Sequence, residues 1–130
     1  MSAVLVDTSI FVAVEEGRPL DRFEGLYRVG VATITELEIG VLLAQDPANR
    51  RRRRATLARA RAHVPIPYDE RVSAELARLL TELRRANKAA GAFDCMIAAT
   101  ALAVGLPVYT QDRDFEVLRD DAGGPEVVRG

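Results

Sequence analysis

The chain is poor in the residues that most often build disulfides, zinc sites and catalytic triads. Its 130 residues include one cysteine and one histidine. The lone cysteine, Cys95, forms no internal disulfide, and its place in an apolar helical pattern favours a core residue over a nucleophile. Because His63 has no second histidine beside it, a His-rich zinc site and a histidine-based triad are both disfavoured. Neither a disulfide scaffold nor a histidine-centred site is therefore expected.

Long apolar runs are also missing. No stretch approaches the roughly 20 residues that a membrane-spanning helix needs, and no basic segment precedes the short apolar run near the N-terminus. The composition, 48% hydrophobic and 28% charged, is typical of a soluble globular protein. A chain of 130 residues is long enough to bury its own core. We therefore expect one domain over residues 1–130, located in the cytoplasm and without membrane contact.

Lysine is scarce, whereas arginine is abundant. All but one of the 18 basic residues are arginine, and the net charge is −1. Five of these arginines are consecutive: Arg50, Arg51, Arg52, Arg53 and Arg54. Such a run is typical of polyanion binding, but on a helix its members point in all directions, so only two or three can face one ligand. A solvated helix or a contact with another protein explains the run equally well.

The order of apolar segments predicts an α/β fold. Residues 3–6 form a short apolar run, as expected for a strand covered on both faces. Further strands are expected near residues 29–32, 63–68, 106–110 and 126–128. Helices are expected near residues 9–16, 20–27, 33–45, 48–62, 69–89 and 92–104. Strands that alternate with helices predict a central parallel sheet of four to five strands flanked by helices.

Four carboxylates stand next to the ends of these predicted elements. Asp7 directly follows the first strand, and Glu36 lies in the first turn after the second. Asp94 begins the helix before the fourth strand, and Asp112 follows that strand. Because the ligand crevice of an open α/β sheet lies beyond the carboxyl ends of its strands, we expect these acids to meet at one edge. Clustered carboxylates repel each other and resist desolvation, and oxygen-only ligands favour Mg²⁺ or Mn²⁺.

Each acid also has a purely structural explanation. Asp7 precedes Thr8 and Ser9, either of which can cap a helix, and TITE at residues 33–36 fits a capping box. Asp94 suits the start of a helix, and TQDRDF at residues 110–115 is compatible with a polar turn. Capping does not require a shared edge, whereas a metal site does. Spacing alone leaves both interpretations open.

Three segments occur in a characteristic order. They are VLVDTSIF at residues 4–11, TITELEIGVLLA at residues 33–44 and FDCMIAATALAVGLPVYTQDRDF at residues 93–115. Together they resemble the successive signatures of the PIN-domain family, specifically the VapC-type toxins of toxin–antitoxin pairs. The resemblance implies a single PIN-like domain and a Mg²⁺- or Mn²⁺-dependent RNA endonuclease that hydrolyses phosphodiester bonds. The resemblance also implies that water is the nucleophile and that the products carry 5′-phosphate and 3′-hydroxyl ends.

The resemblance also implies roles for individual acids. Asp7 and Asp94 correspond to metal ligands, and Glu36 and Asp112 bind the ion directly or through water. Glu36 is the glutamate of the family pattern because Gly40 fixes the register of that segment. The four acids Asp7, Glu36, Asp94 and Asp112 are therefore the expected catalytic set. Asp114 is a further candidate ligand.

The remaining candidates concern the substrate and partners. Thr8, Ser9 and Thr110 match polar positions that support a bound water or a phosphate, and the run from Arg50 to Arg54 is a candidate RNA contact. The resemblance implies a cognate antitoxin and a homodimer. The alternative is a catalytically silent PIN-like module that binds RNA or protein. A receiver-like phosphotransfer domain is disfavoured because Lys88, the only lysine, does not follow a late strand.

Overall fold

The structure, a computed structural model, describes residues 2–130. Its elements alternate between short strands and longer helices, as the sequence predicts for an α/β fold. In chain order they are β1 (Ala3–Val6), α1 (Thr8–Glu16), β2 (Leu26–Arg28), α2 (Val31–Leu43), α3 (Pro47–Arg61), α4 (Glu70–Arg85), α5 (Ala92–Val104), β3 (Val108–Thr110), α6 (Asp114–Ala122) and β4 (Val127–Arg129).

The four strands form one parallel sheet in the order β2-β1-β3-β4. Leu5 of β1 pairs with Arg28 on one side and with Val108 on the other. The predicted parallel sheet flanked by helices is therefore confirmed, with four strands. Because all four strands run the same way, β1 and β3 end at the same edge of the sheet.

Side chains of β1 alternate between two apolar layers. Val4 and Val6 pack with Ile10 and Tyr109 on one face, whereas Leu5 joins the cluster that contains most of α5. This alternation follows from the two-residue repeat of a strand. Asp7, which stays extended directly after β1, is therefore directed to the side of the sheet that α5 covers.

The region after α1 differs from the prediction. The helix expected at residues 20–27 is wrong, because residues 18–24 contain no helix or strand and β2 occupies Leu26–Arg28. The strand expected at residues 29–32 is also wrong, since α2 begins at Val31. Residues 63–68 contribute a single bridge between Ile66 and Gly30 instead of a strand. Segments of three residues are too short for hydrophobic periodicity to separate them from neighbouring turns.

Two helix boundaries were predicted from the wrong signals. The capping box expected at residues 33–36 is wrong, because Gly30 caps α2 without a side-chain hydrogen bond and Thr33 lies inside the helix. A Cβ on Gly30 would lie 3.3 Å from Cγ2 of Thr100 in α5, so a small residue permits this close approach. The segment at residues 110–115 does turn, but it leads into α6, which the sequence did not predict.

Candidate metal centre

Asp7 caps α1 and is almost completely buried. Its side chain is 2% exposed, and its Oδ2 accepts a hydrogen bond from the backbone N–H of Ser9 at 3.3 Å. The hydroxyl of Thr110, at the end of β3, donates to the same oxygen at 2.7 Å. Asp7, and not the predicted Thr8 or Ser9, is thus the cap of α1. Thr110 connects the ends of β1 and β3 through this carboxylate.

The predicted hydroxyl residues hold the other acids in place. The hydroxyl of Thr8 donates to Oε1 of Glu36 at 2.6 Å, which links the start of α1 to α2. The backbone N–H of Asp112 donates to Oγ1 of Thr110 at 2.8 Å. Ser9 Oγ lies 3.2 Å from Oγ1 of Thr110. These contacts place the predicted polar residues among the acids.

The structure brings the predicted acids together. One oxygen each from Asp7, Glu36 and Asp94 lies within 4.8 Å of the other two. Asp94 forms a second such group with Asp112 and Asp114, so Asp94 belongs to both. The four acids of the expected catalytic set line a cleft of about 260 Å³, which we call the acid cleft. Asp114 is exposed, and its backbone N–H donates to Oδ1 of Asp112 at 2.9 Å.

The crowded acids hold their protons more tightly than ordinary carboxyls. Burial raises the pKa of Asp7, although hydrogen bonds from Ser9 and Thr110 oppose the change. Burial also raises the pKa of Glu36, and the charges of Asp7 and Asp112 act in the same direction. Burial first, and then the charges of Asp7 and Asp112, raise the pKa of Asp94 to about 8. Full ionisation of these acids is therefore unfavourable unless a cation is bound.

The donor set fits a hard divalent cation. All candidate ligands are carboxylate oxygens, which Mg²⁺ and Mn²⁺ prefer. Two of the acids, Asp7 and Glu36, are oriented by hydroxyl donors, as metal-binding carboxylates commonly are. A cation would also remove the mutual repulsion that raises the pKa of Asp94. The ligand atoms, their arrangement and their charge thus all favour a hard divalent cation.

The arginine run is divided between internal contacts and solvent. Arg53 Nη1 donates to the backbone oxygen of Gly40 at 2.6 Å, and Arg50 Nη2 donates to that of Ala44 at 2.9 Å. Arg52 donates to the side chain of Asn49 at 2.6 Å. The remaining two members, Arg51 and Arg54, are exposed. The run therefore contributes to the junction of α2 and α3 as well as to the surface.

A basic residue outside that run lines the acid cleft. Arg18 follows the end of α1 and stands beside the four acids. Sequence reasoning missed it because it is a single arginine in a segment that was expected to be a turn leading to a helix. The observed contact depends on how the chain folds back after Gly17, which periodicity does not reveal.

Comparisons with known proteins agree with this architecture. The PIN domain matches residues 4–120 of the chain. Ribonuclease VapC4 of Mycobacterium tuberculosis (strain ATCC 25618 / H37Rv) is 41% identical over 118 residues, which cover 89% of this chain and 91% of VapC4. Ribonuclease VapC5 of the same strain is 38% identical over 130 residues, 98% of this chain and 96% of VapC5.

A solved structure is similar over the whole length. The crystal structure of VapBC-5 from Mycobacterium tuberculosis, a member of the VapBC family of toxin–antitoxin systems, aligns with a TM-score of 0.89. The identity is 33%, and the alignment covers 100% of both chains. With this fold and a family match over most of its length, the chain belongs to the PIN-domain family. Within that family it is of the VapC type.

Proposed function

We propose that the protein is the toxin of a toxin–antitoxin pair and acts as a Mg²⁺- or Mn²⁺-dependent RNA endonuclease. The observation that carries this proposal is the convergence of Asp7, Glu36, Asp94 and Asp112, from separate parts of the chain, on one cleft. Relatives of similar length carry the name ribonuclease, which supports the same activity. The reaction is hydrolysis of a phosphodiester bond, with 5′-phosphate and 3′-hydroxyl products.

The acids of the acid cleft and the hydroxyl residues beside them have different proposed roles. Asp7 and Asp94 hold the divalent ion, with Glu36 and Asp112 binding directly or through water and Asp114 as a further candidate. When bound, the ion acts as a Lewis acid that activates water and stabilises negative charge on the phosphate. Thr110 and Thr8 keep Asp7 and Glu36 in fixed orientations through hydrogen bonds of 2.7 and 2.6 Å. Ser9 lies beside Thr110 and is available to a phosphate or a water.

RNA needs basic residues near so acidic a cleft, because phosphates are repelled by carboxylates. The run Arg50, Arg51, Arg52, Arg53 and Arg54 is one candidate contact. Within it, Arg51 and Arg54 are exposed, whereas Arg50 and Arg53 donate to backbone oxygens. Arg53 also lines a cavity together with Thr8 and Glu36 of the acid cleft. Contacts of this kind position the backbone and do not select a base.

Cleavage of RNA by the purified protein tests the activity. We expect Mg²⁺ or Mn²⁺ to support cleavage of total RNA, and EDTA to abolish it. Asp7→Asn should reduce the rate by a factor on the order of a thousand, since it removes a buried charge that the ion requires. Asparagine also caps helices, so this variant should fold. End analysis of the products should find 5′-phosphates.

A matched control separates site chemistry from general loss of charge. Asp121→Asn removes an exposed acid of α6 that does not line the acid cleft, and it should leave the rate unchanged. RNA cleavage that persists at full rate in Asp7→Asn would mean that the activity is a contaminant. A wild-type protein that binds RNA but cuts none with either ion would favour the silent PIN-like module instead.

The partner proposals rest on the relatives. VapBC-5 is a member of a toxin–antitoxin family and aligns over the entire chain, which supports a cognate antitoxin for this protein. Assembly as a homodimer is what the resemblance to VapC-type toxins implies. Co-expression with the product of the adjacent reading frame should yield a stable complex with suppressed RNA cleavage. Light scattering of the isolated chain should give the mass of a dimer. A monomer under all conditions would contradict the assembly proposal.

A further inference from the structure

Arg18 gives the acid cleft a positive border. Among residues 2–130, it is the one basic residue that lines this cleft. Its Nη1 lies 3.3 Å from Oε2 of Glu16, and both side chains are about half exposed, at 48% and 49%. Ion pairs this exposed contribute little, and a guanidinium has five N–H donors. Arg18 therefore has donors available for a second anion.

The backbone around Arg18 is fixed on both sides. Gly17 adopts a left-handed conformation with a φ of 68°, and the N–H of Arg18 donates to the backbone oxygen of Ala13 at 2.8 Å. This is the Schellman arrangement that ends many helices. The side-chain amide of Gln111 donates to the backbone oxygen of Pro19 at 3.0 Å. The turn that carries Arg18 is thus attached to the segment that carries Asp112.

A second cavity lies on the other side of this turn. We call it the Arg18 recess, and its volume is about 410 Å³. Six side chains form most of its lining: Ile10, Val14, Arg18, Arg22, Tyr27 and Tyr109. No carboxylate of residues 2–130 lines it. Its walls are therefore apolar or aromatic, and its charged groups are both arginines.

Tyr27 supplies the exposed part of the aromatic wall, because its side chain is half-buried whereas Tyr109 is 1% exposed and lies beneath it. The hydroxyl of Tyr27 donates to the backbone oxygen of Phe23 at 2.6 Å, and that of Tyr109 donates to the backbone oxygen of Asp21 at 2.6 Å. The ring centroids are 6.0 Å apart, and the ring planes differ by 16°. Because the hydroxyls are occupied, what remains is an apolar surface suited to a flat, uncharged group.

We propose that the Arg18 recess binds the base of a nucleotide next to the scissile phosphate, and that Arg18 holds the phosphate between the recess and the acid cleft. The inference rests on the proposed RNA cleavage. Arg18 lines both cavities, so an RNA strand that leaves the acids passes directly over it. The occupant is RNA because the exposed guanidinium groups of Arg18 and Arg22 attract phosphates, while aromatic and apolar walls accommodate a base. Because its tyrosine hydroxyls are occupied, such a subsite would give only a modest preference, by size and stacking strength, at one position beside the cut.

Two variants of exposed residues test the subsite separately. Val14→Trp fills the recess from a position that is 54% exposed, and Arg18→Gln removes the cation. The control is Val64→Trp, at a position that is 79% exposed and does not line either cavity. The substrate is a random-sequence RNA pool, with cut sites mapped by sequencing. Binding of the same pool to each variant in an Asp7→Asn background is measured by fluorescence anisotropy at several salt concentrations.

We expect the wild type to show a modest preference among bases at one position beside the cut, set by size and stacking strength. Val14→Trp should flatten that preference and raise KM about tenfold with kcat unchanged, since the indole occupies the space that the base would fill. Arg18→Gln should raise KM for all sequences alike and reduce the slope of log affinity against log salt by about 1. Val64→Trp should behave as wild type in both assays.

The possible failures can be told apart. If the wild type cleaves RNA but Val14→Trp keeps its base preference and KM, the recess is not a base site. If Arg18→Gln keeps the wild-type salt slope, Arg18 does not contact phosphate. If the wild type cleaves nothing, the proposed activity is wrong, and the anisotropy assay still decides whether the recess binds RNA. Arg18→Gln alters an exposed residue, so the test does not depend on the folding of Val14→Trp.

Discussion

Asp7 meets a local and a long-range requirement with one carboxylate. Its Oδ2 accepts from the N–H of Ser9, which caps α1, and from the hydroxyl of Thr110, which joins β1 to β3. Burial nevertheless raises its pKa, so the hydrogen bonds do not fully offset the loss of water. The sequence-based alternatives of a cap and a site residue are therefore compatible, because one oxygen provides the cap while the carboxylate still lines the acid cleft.

Asp94→Asn should stabilise the metal-free protein increasingly as pH rises. The pKa of Asp94 is raised to about 8 by burial and by the charges of Asp7 and Asp112. An acid whose pKa is higher in the folded state than in the unfolded state destabilises the fold as pH rises from the ordinary value of 3.8 to about 8. Asparagine removes this effect. Allowing for solvent screening, we expect the free energy of unfolding of Asp94→Asn, relative to wild type, to increase by about 1–2 kcal/mol between pH 5.5 and pH 8.5.

Urea unfolding in EDTA at several pH values measures this change. The control Asp121→Asn removes an acid of the same type from an exposed position outside the acid cleft, so it separates the effect of the site from that of losing one carboxylate. If Asp94→Asn is less stable than wild type throughout this range, the interaction of Asp94 with the start of α5 outweighs the repulsion. Asp94 would then be primarily a helix-terminus residue.

At the scale of elements, the arginine-rich helix α3 donates hydrogen bonds to backbone oxygens at the C-terminal end of α2. Gly40 is among the last four residues of α2, whose carbonyls have no partner within the helix. Arg53 donates to that carbonyl, and Arg50 donates to the oxygen of Ala44, the residue that ends α2. Positive charge is favourable at a helix C-terminus. Part of the run is therefore explained by packing between helices, independently of any ligand.

Arg53→Gln and Arg51→Gln should have different effects, although they are neighbours of the same type. Arg53→Gln removes a cation and a donor from the end of α2, and should lower the free energy of unfolding by about 1 kcal/mol. Arg51→Gln changes an exposed side chain, and should leave stability within about 0.5 kcal/mol of wild type while weakening RNA binding. Equal losses of stability in urea unfolding would contradict this division, as would equal losses of RNA affinity.

Elements with a predominantly apolar pattern were predictable, and β3 and β4 overlap the strands predicted at residues 106–110 and 126–128 although each has three residues. β2 was not predicted. Residues 3–6 and the helix at residues 92–104 match β1 and α5 because both are predominantly apolar and largely buried. β2 has three residues, of which Leu26 is 53% exposed, so it carries little of the pattern that marks a strand. The start of α2 depends on the close approach of Gly30 to Thr100, a contact between distant segments that local signals do not contain.

At the scale of the whole molecule, the parallel sheet explains why the site could be predicted better than its surroundings. Asp7 and Asp112 lie at the ends of adjacent parallel strands, so knowing the fold class is sufficient to bring them together. Arg18 and the Arg18 recess depend instead on the irregular segment between α1 and β2. Among residues 2–130, no helix is long and apolar enough to cross a membrane.

Binding of Mg²⁺ should stabilise the whole fold, because its proposed ligands lie on segments far apart in sequence. At a concentration 100 times Kd, a ligand specific for the folded state contributes about 2.7 kcal/mol, which corresponds to a rise in Tm of roughly 10 °C for a chain of this size. The ion requires the charged form of Asp94, whose pKa is raised to about 8 in its absence. Each pH unit below about 8 should therefore weaken binding by up to about tenfold.

In scanning calorimetry at one Mg²⁺ concentration, we expect a larger increase in Tm at pH 8 than at pH 6. In Asp94→Asn the increase should be small at both pH values. An increase of equal size in wild type and Asp94→Asn would show that the ion binds elsewhere.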